Sequence, residues 1–224
     1  MENLVLPTPR RSFLQRFAAG TAALLASGWA PAHAAPAPRA RTARRVSDDA
    51  WLERIRGEHR QVFDLVETNM GFGAAYALNF IDSFKEAHDV ENDDLTAVLV
   101  FRHFAMPLLL NDGMWAKYKI GGMLHANDPD TNAPAERNLF HANVPMRPGL
   151  TYAQMFAEQP VIVVACGLAL SVLSGLAAPN AGVSAEEAKA EWAANLFPGV
   201  YVAPSGVYAV NRAQEHGCTY CYAG

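Results

Sequence analysis

Cys166 and His103 are the residues whose type and setting best suit them to do chemistry in this chain. Each comes at or just past the end of an apolar, β-branched run: residues 96–102 lead to His103, and residues 160–165 lead to Cys166. A thiol between a strand and a helix faces unpaired backbone N–H groups and the positive end of the helix dipole, which favour thiolate over thiol. A redox thiol or a persulfide carrier needs that form. An imidazole at a neighbouring strand end can take the thiol proton or hold a ligand. The plainer alternatives are a buried cysteine acting as a small hydrophobe and a histidine tying the turn before Phe104.

The other candidate positions also follow strand-like runs. Asn69 and Gly71 can offer backbone N–H groups to an anion, though turn chemistry explains them as well. Gly167, Ser205 and Gly206 complete the ligand-binding candidates, because ligands of a parallel sheet bind outside the carboxyl ends of its strands.

Near the carboxyl end stand His216, Cys218 and Cys221. In an oxidising compartment Cys218 and Cys221 can close a disulfide. With His216 they offer two thiolates and an imidazole, weak candidates for a Zn or Cu(I) clip. Thioredoxin-like chemistry is disfavoured, since this CxxC follows a helix instead of opening one. Haem attachment is excluded, because Tyr222 stands where a histidine is required. No cofactor is expected.

These residues must be held by alternating elements. A short helix is expected over residues 50–58 and strand-like character over 61–67. A helix follows over 74–87, then a strand over 96–102 and a helix over 107–119. Residues 120–149 hold Gly121-Gly122, Asn127-Asp128-Pro129-Asp130 and three further prolines, which reads as an irregular insertion. Its His125, Asp128, Asp130 and His141 have no defined ligand geometry and suit a polar lid or oligomer arm. Met106, Met114, Trp115 and Met123 read as packing. A short helix over 152–158 leads to the strand at 160–165 and a helix from about 168. Ser184 is an N-cap for a helix reaching about Asn195, with Glu186, Glu187, Lys189 and Glu191 on a solvated face. A strand over 199–203, a helix over 205–215 ending at Gly217 and a short strand over 219–222 complete the chain. Unbroken Val/Ile/Leu strands alternating with helices predict an α/β protein with a mainly parallel sheet covered on both faces.

Composition agrees: 51% hydrophobic and 18% charged residues place the chain among globular proteins. Net charge is −4, with no basic stripe, so nucleic acid is not expected as a partner. The one basic cluster, Arg39, Arg41, Arg44 and Arg45, sits among Ala and Pro and reads as a linker over residues 35–49.

The amino end carries a processing signal. Arg10-Arg11-Ser12-Phe13-Leu14, a mild apolar run and Ala32-His33-Ala34 resemble a twin-arginine export signal over residues 1–34. The apolar run is too short and too poor in Leu and Ile to span a bilayer of ~30 Å comfortably. The resemblance implies passage of folded cargo through the twin-arginine translocon, cleavage near Ala34 and a periplasmic address. Residues 50–224 then form one domain.

Three stretches of that domain resemble the DsrE/DsrF-like family. They are Val98-Leu99-Val100-Phe101-Arg102-His103 leading into Pro107-Leu108-Leu109-Leu110, the strand ending in Cys166-Gly167, and a carboxyl-terminal pattern. That pattern runs through Leu196-Phe197-Pro198-Gly199-Val200, Ala203-Pro204-Ser205-Gly206-Val207 and Arg212-Ala213-Gln214-Glu215 to Gly217 and Tyr220. The resemblance covers about residues 60–224 apart from the insertion. It implies a flavodoxin-like three-layer α/β/α fold of about five parallel strands and a homo-oligomer. It also implies a role for Cys166 in passing sulfur to or from a small sulfur species or another thiol protein. Family members that act in sulfur oxidation or tRNA thiolation are cytoplasmic, so an exported chain departs from them in its partners.

Overall fold

The computed structural model describes residues 49–224. The export-signal expectation and nearly all of the expected linker lie outside the described residues.

Five parallel strands form one sheet in the order β4-β3-β2-β1-β5. They are β1 (His59–Leu65), β2 (Leu95–Phe101), β3 (Val161–Cys166), β4 (Tyr201–Ala203) and β5 (Thr219–Tyr222). Every residue of β2 and β3 is buried, which explains why both read as unbroken apolar runs: each of their faces meets a helical layer. Ala97, Leu99 and Phe101 point to one layer, while Val98 and Val100 point to the other.

The chain steps from β1 to β4 in one direction, then returns to the far side of β1 for β5. Right-handed crossovers require the reversed step to run over the opposite face. The packing agrees. One face carries α1 (Phe72–His88) and α4 (Tyr152–Glu158), whose Leu78, Ile81 and Met155 pack on Phe63, Leu99 and Val163. The other carries α7 (Gly206–Glu215) and a 3-10 turn at Asp49–Arg54, with Trp51, Ala209 and Ala213 against Val62 and Ile162. The arrangement is a flavodoxin-like three-layer α/β/α fold with an all-parallel five-stranded sheet. A second apolar cluster joins α2 (Asp112–Tyr118), α5 (Gly167–Ala181) and α6 (Ala185–Ala194) around Trp115, Leu173 and Trp192.

The Ser184 N-cap forms a full capping box with Glu187. Three sequence expectations change. The helix expected over 50–58 is the 3-10 turn Asp49–Arg54, because Gly57 takes a left-handed φ of 80° and turns the chain into β1. The helix expected over 107–119 is two elements. A 3-10 segment, His103–Leu109, gives way at Leu110, which bridges to Leu196, and Asn111 then caps α2 through its side chain. The solvated face of α6 is also partly engaged: Glu191 accepts from Lys117 Nζ and from the Tyr118 hydroxyl.

The 120–149 insertion is built into the domain. It opens with α3 (Ile120–Met123) and buries Ile120, Ala135 and Val144. Buried Asn138 donates to the carbonyls of Leu108 and Leu110 at 2.9 and 2.7 Å, satisfying backbone acceptors at the break before α2. Its Asp128 and Asp130 are ion-paired with Arg137, while His141 contacts Asp112.

Candidate functional site

Strand register brings the ends of β1, β2, β3 and β4 to one edge of the sheet. Leu65 pairs with Phe101, Phe101 with Ala165, and Cys166 with Ala203. β3 leads into α5 and β4 into α7. A crevice opens between those two helices, with a volume of about 340 Å³. That lies at the small end of the range of ligand sites, roughly 300–1,000 Å³. Arg102, His103, Cys166, Ser205 and Gly206 all line it. Four of the seven catalytic and ligand-binding candidates read from the sequence therefore meet in one place.

Cys166 is the N-cap of α5, and its Sγ accepts the Ala169 N–H at 3.3 Å. The sulfur thus lies at the positive end of a 15-residue helix. Only 4% of the residue is exposed, and what is exposed faces the crevice. Gly167 begins α5 and is not among the residues that line the crevice. A Cβ there would stand 2.7 Å from the Ala203 carbonyl, so its role is close packing of α5 on β4. Ser205 caps α7, its Oγ accepting the Tyr208 N–H at 3.2 Å.

His103 follows β2 with a left-handed φ of 47°, an uncommon conformation for a residue with a side chain. Its Nε2 faces Arg102 Nη1 at 3.3 Å. Arginine can only donate, so Nε2 accepts and the ring proton sits on Nδ1. The hydrogen-bond partner of the imidazole is thus Arg102; His103 and Cys166 share the crevice.

Two functional candidates escaped the sequence reading. Asp64, 3% exposed on β1, accepts from Arg102 Nε at 2.6 Å and Nη2 at 2.9 Å. Tyr220 on β5 donates its hydroxyl to the same carboxylate at 2.9 Å. The bond to Asp64 raises the Arg102 pKa above its ordinary value, and the Cys166 sulfur lies within electrostatic reach of that guanidinium. Burial, then the bond to Asp64, raises the Tyr220 pKa. A Cβ on Gly206 would lie 2.6 Å from the Arg102 Cβ, so glycine at the start of α7 lets the arginine pass to Asp64. The available signal was an acid among the apolar residues of the carboxyl half of β1, Val62-Phe63-Asp64-Leu65.

Asn69 and Gly71 lie elsewhere. The Asn69 amide donates to the Ala223 carbonyl at 3.0 Å, and Gly71, with φ of 80°, packs by Phe140 and Pro145. They fix the turn after β1 to the carboxyl end of the chain.

The carboxyl-terminal expectations are corrected. Cys218 and Cys221 are free thiols. Cys218 is buried in the α7-side cluster, while Cys221 packs on the α1 side. Three residues of extended chain span roughly 10 Å, beyond the Cα separation a disulfide tolerates. The same divergence removes the metal clip, and His216 Nδ1 is bonded to the Arg212 carbonyl at 2.8 Å. Among the described residues no group of three or more His, Cys, Asp or Glu is placed to hold a metal ion. Burial pushes the Cys218 thiol up to about 11 and raises Cys221 as well, so both favour the inert protonated form.

One wall of the crevice is apolar and open. Leu168, Val172 and Leu176 recur every four residues along α5 and are 50–68% exposed, with Val207 opposite at the start of α7. Among the described residues no single helix is long and apolar enough to cross a membrane. No family model matches the chain, and no curated protein and no solved structure is found to match it.

Proposed function

We propose that this chain is an exported, DsrE-like carrier that binds a small reduced sulfur species and relays it on Cys166. The observation that supports the reading is the placement of one sulfur: at the amino end of α5, in an open crevice, within electrostatic reach of Arg102.

The transfer needs no external oxidant. The Cys166 thiolate attacks the outer sulfur of a persulfide donor. A new S–S bond forms at Cys166 and the donor's own S–S bond breaks. The bonding pair leaves on the donor thiolate, which takes up a proton. Attack by an acceptor thiol on the outer sulfur of the Cys166 persulfide runs the same exchange onward. His103 lines the same crevice as Cys166.

The test is the intact mass of folded protein after exposure to a persulfide donor. The wild type gains one sulfur, Cys166→Ser gains none, and Cys218→Ser and Cys221→Ser gain one each. A folded wild type that takes up no sulfur overturns the reading.

A second reading is favoured by the open stripe of Leu168, Val172 and Leu176. It is a non-catalytic binding or assembly module, homo-oligomeric through that face, in which Cys166 is inert. Exposed apolar stripes of this kind mark interaction surfaces. Sulfur uptake at Cys166 separates the two readings.

A further inference from the structure

We infer that the crevice selects organic sulfur compounds with an apolar body, such as alkyl persulfides, over inorganic sulfur anions; this rests on the carrier reading of the same site.

Two observations on opposite sides of the crevice carry the inference. The first concerns charge. An inorganic anion such as thiosulfate needs an unengaged cation or a set of inward-facing donors. Arg102 is the one arginine or lysine among the lining residues. Its Nε and Nη2 are held by Asp64, and Nη1 by His103. With those nitrogens engaged, capture of a free dianion would mean breaking the Arg102–Asp64 pair.

The second concerns the walls. From Leu168 to Leu176 the stripe runs about 12 Å along α5, as eight residues at 1.5 Å each require. It leads away from Cys166 at the helix start. Val207 and Phe104 face it from α7 and from the segment after β2. An extended alkyl chain laid there buries its methylenes against these side chains, and its sulfur end meets Cys166. Cys166 stands at one end of the stripe, so the crevice gives the ligand a direction as well as a class.

The experiment uses unreactive probes, so that binding is read apart from transfer. Alkyl methyl sulfides from ethyl to hexyl are titrated into the purified protein by calorimetry, and thiosulfate is titrated alongside. Affinity should strengthen roughly three- to fourfold per added methylene, the ratio expected for burying a CH₂. Val172→Asn and Leu176→Asn, both at exposed positions, should flatten the series. Affinity that ignores chain length, or thiosulfate binding tighter than hexyl methyl sulfide, overturns the inference. So does a stripe already covered by a second copy of the chain, seen as a dimer that Leu176→Lys dissociates and that binds no sulfide. If either asparagine variant fails to fold, the wild-type series decides alone. Sulfur uptake by Cys166 is scored separately: a length-dependent series without uptake removes the carrier reading and keeps the crevice's preference, and uptake without length dependence does the reverse.

Discussion

Arg102 grips Asp64 with two nitrogens, Nε to Oδ1 at 2.6 Å and Nη2 to Oδ2 at 2.9 Å, across the register of β1 and β2. The pair joins strand ends to the crevice: the acid is buried in the sheet, and the guanidinium reaches the cavity that holds Cys166. Tyr220 closes the third side from β5, so three strands share one charge cluster.

Breaking this pair from one side leaves a buried charge without its partner. Arg102→Met should therefore cost about 3 kcal/mol, and Asp64→Asn a smaller amount because the half-exposed Tyr220 hydroxyl and the amide can still bond. The double variant should cost less than the two singles together, with a coupling on the order of 1–3 kcal/mol. Urea unfolding of the four proteins measures it. Additive losses would show that the ion pair does not bind the strand ends together.

Gly121 tests whether the 120–149 insertion belongs to the core. A Cβ at this position would stand 2.3–2.4 Å from the backbone of Ala135, which cannot retreat without moving the insertion. The neighbouring Gly122 has only the Pro134 Cβ at 3.9 Å. Gly121→Ala should destabilise by about 2–3 kcal/mol through overpacking, while Gly122→Ala stays near neutral. Thermal unfolding of both separates an integral segment from a detachable arm; equal, small effects would favour the arm.

What the sequence shows of the fold and the site follows from how local each signal is. β2 and β3 are legible because burial on both faces writes itself as residues that are all apolar. The Ser184 cap is legible because its partner, Glu187, is three residues away. That Cys166 and His103 share one crevice is legible because a parallel sheet puts the ends of its strands together. Asp64 and Arg102 are 38 residues apart, and no periodicity links them. The break at Leu110 depends on Leu196, on another part of the chain. The disulfide expectation gives way because the chain runs extended from Cys218 into β5, and extended backbone sends positions three apart to opposite faces. Cys218 is buried in the α7-side core while Cys221 packs on the other face.

The Cys218 thiol supplies a pH dependence with a definite sign. Burial raises it from an ordinary 9.0 to about 11, so the folded chain prefers the neutral thiol more than the unfolded chain does. Its contribution to stability is complete below about pH 9, where both states keep the proton. It is lost as pH climbs from about 9 through about 11, because the unfolded thiol ionises first. Unfolding midpoints of wild type and Cys218→Ala, measured from pH 8 to 11, should therefore converge as pH rises. A gap that stays constant over that range would mean that the thiol does not titrate differently in the two states.

The topology bears on the export route proposed from Arg10-Arg11. β5 is the last of the described strands, yet it pairs with β1, the first of them: Phe63 sits beside Cys221. The sheet closes only after the whole domain has been synthesised, and such long-range pairing is slow. A translocon that accepts folded cargo suits that order of events, because the β5 side of β1 is already covered when the domain crosses. Replacing Arg10 and Arg11 together by Lys should leave folded protein in the cytoplasm with residues 1–34 still attached, whereas the wild type should be recovered outside the inner membrane beginning at Ala35. Cell fractionation followed by intact-mass measurement reads both the address and the amino terminus. Undiminished export of the Lys-Lys variant, cleaved at the same place, would show that the paired arginines are not the signal.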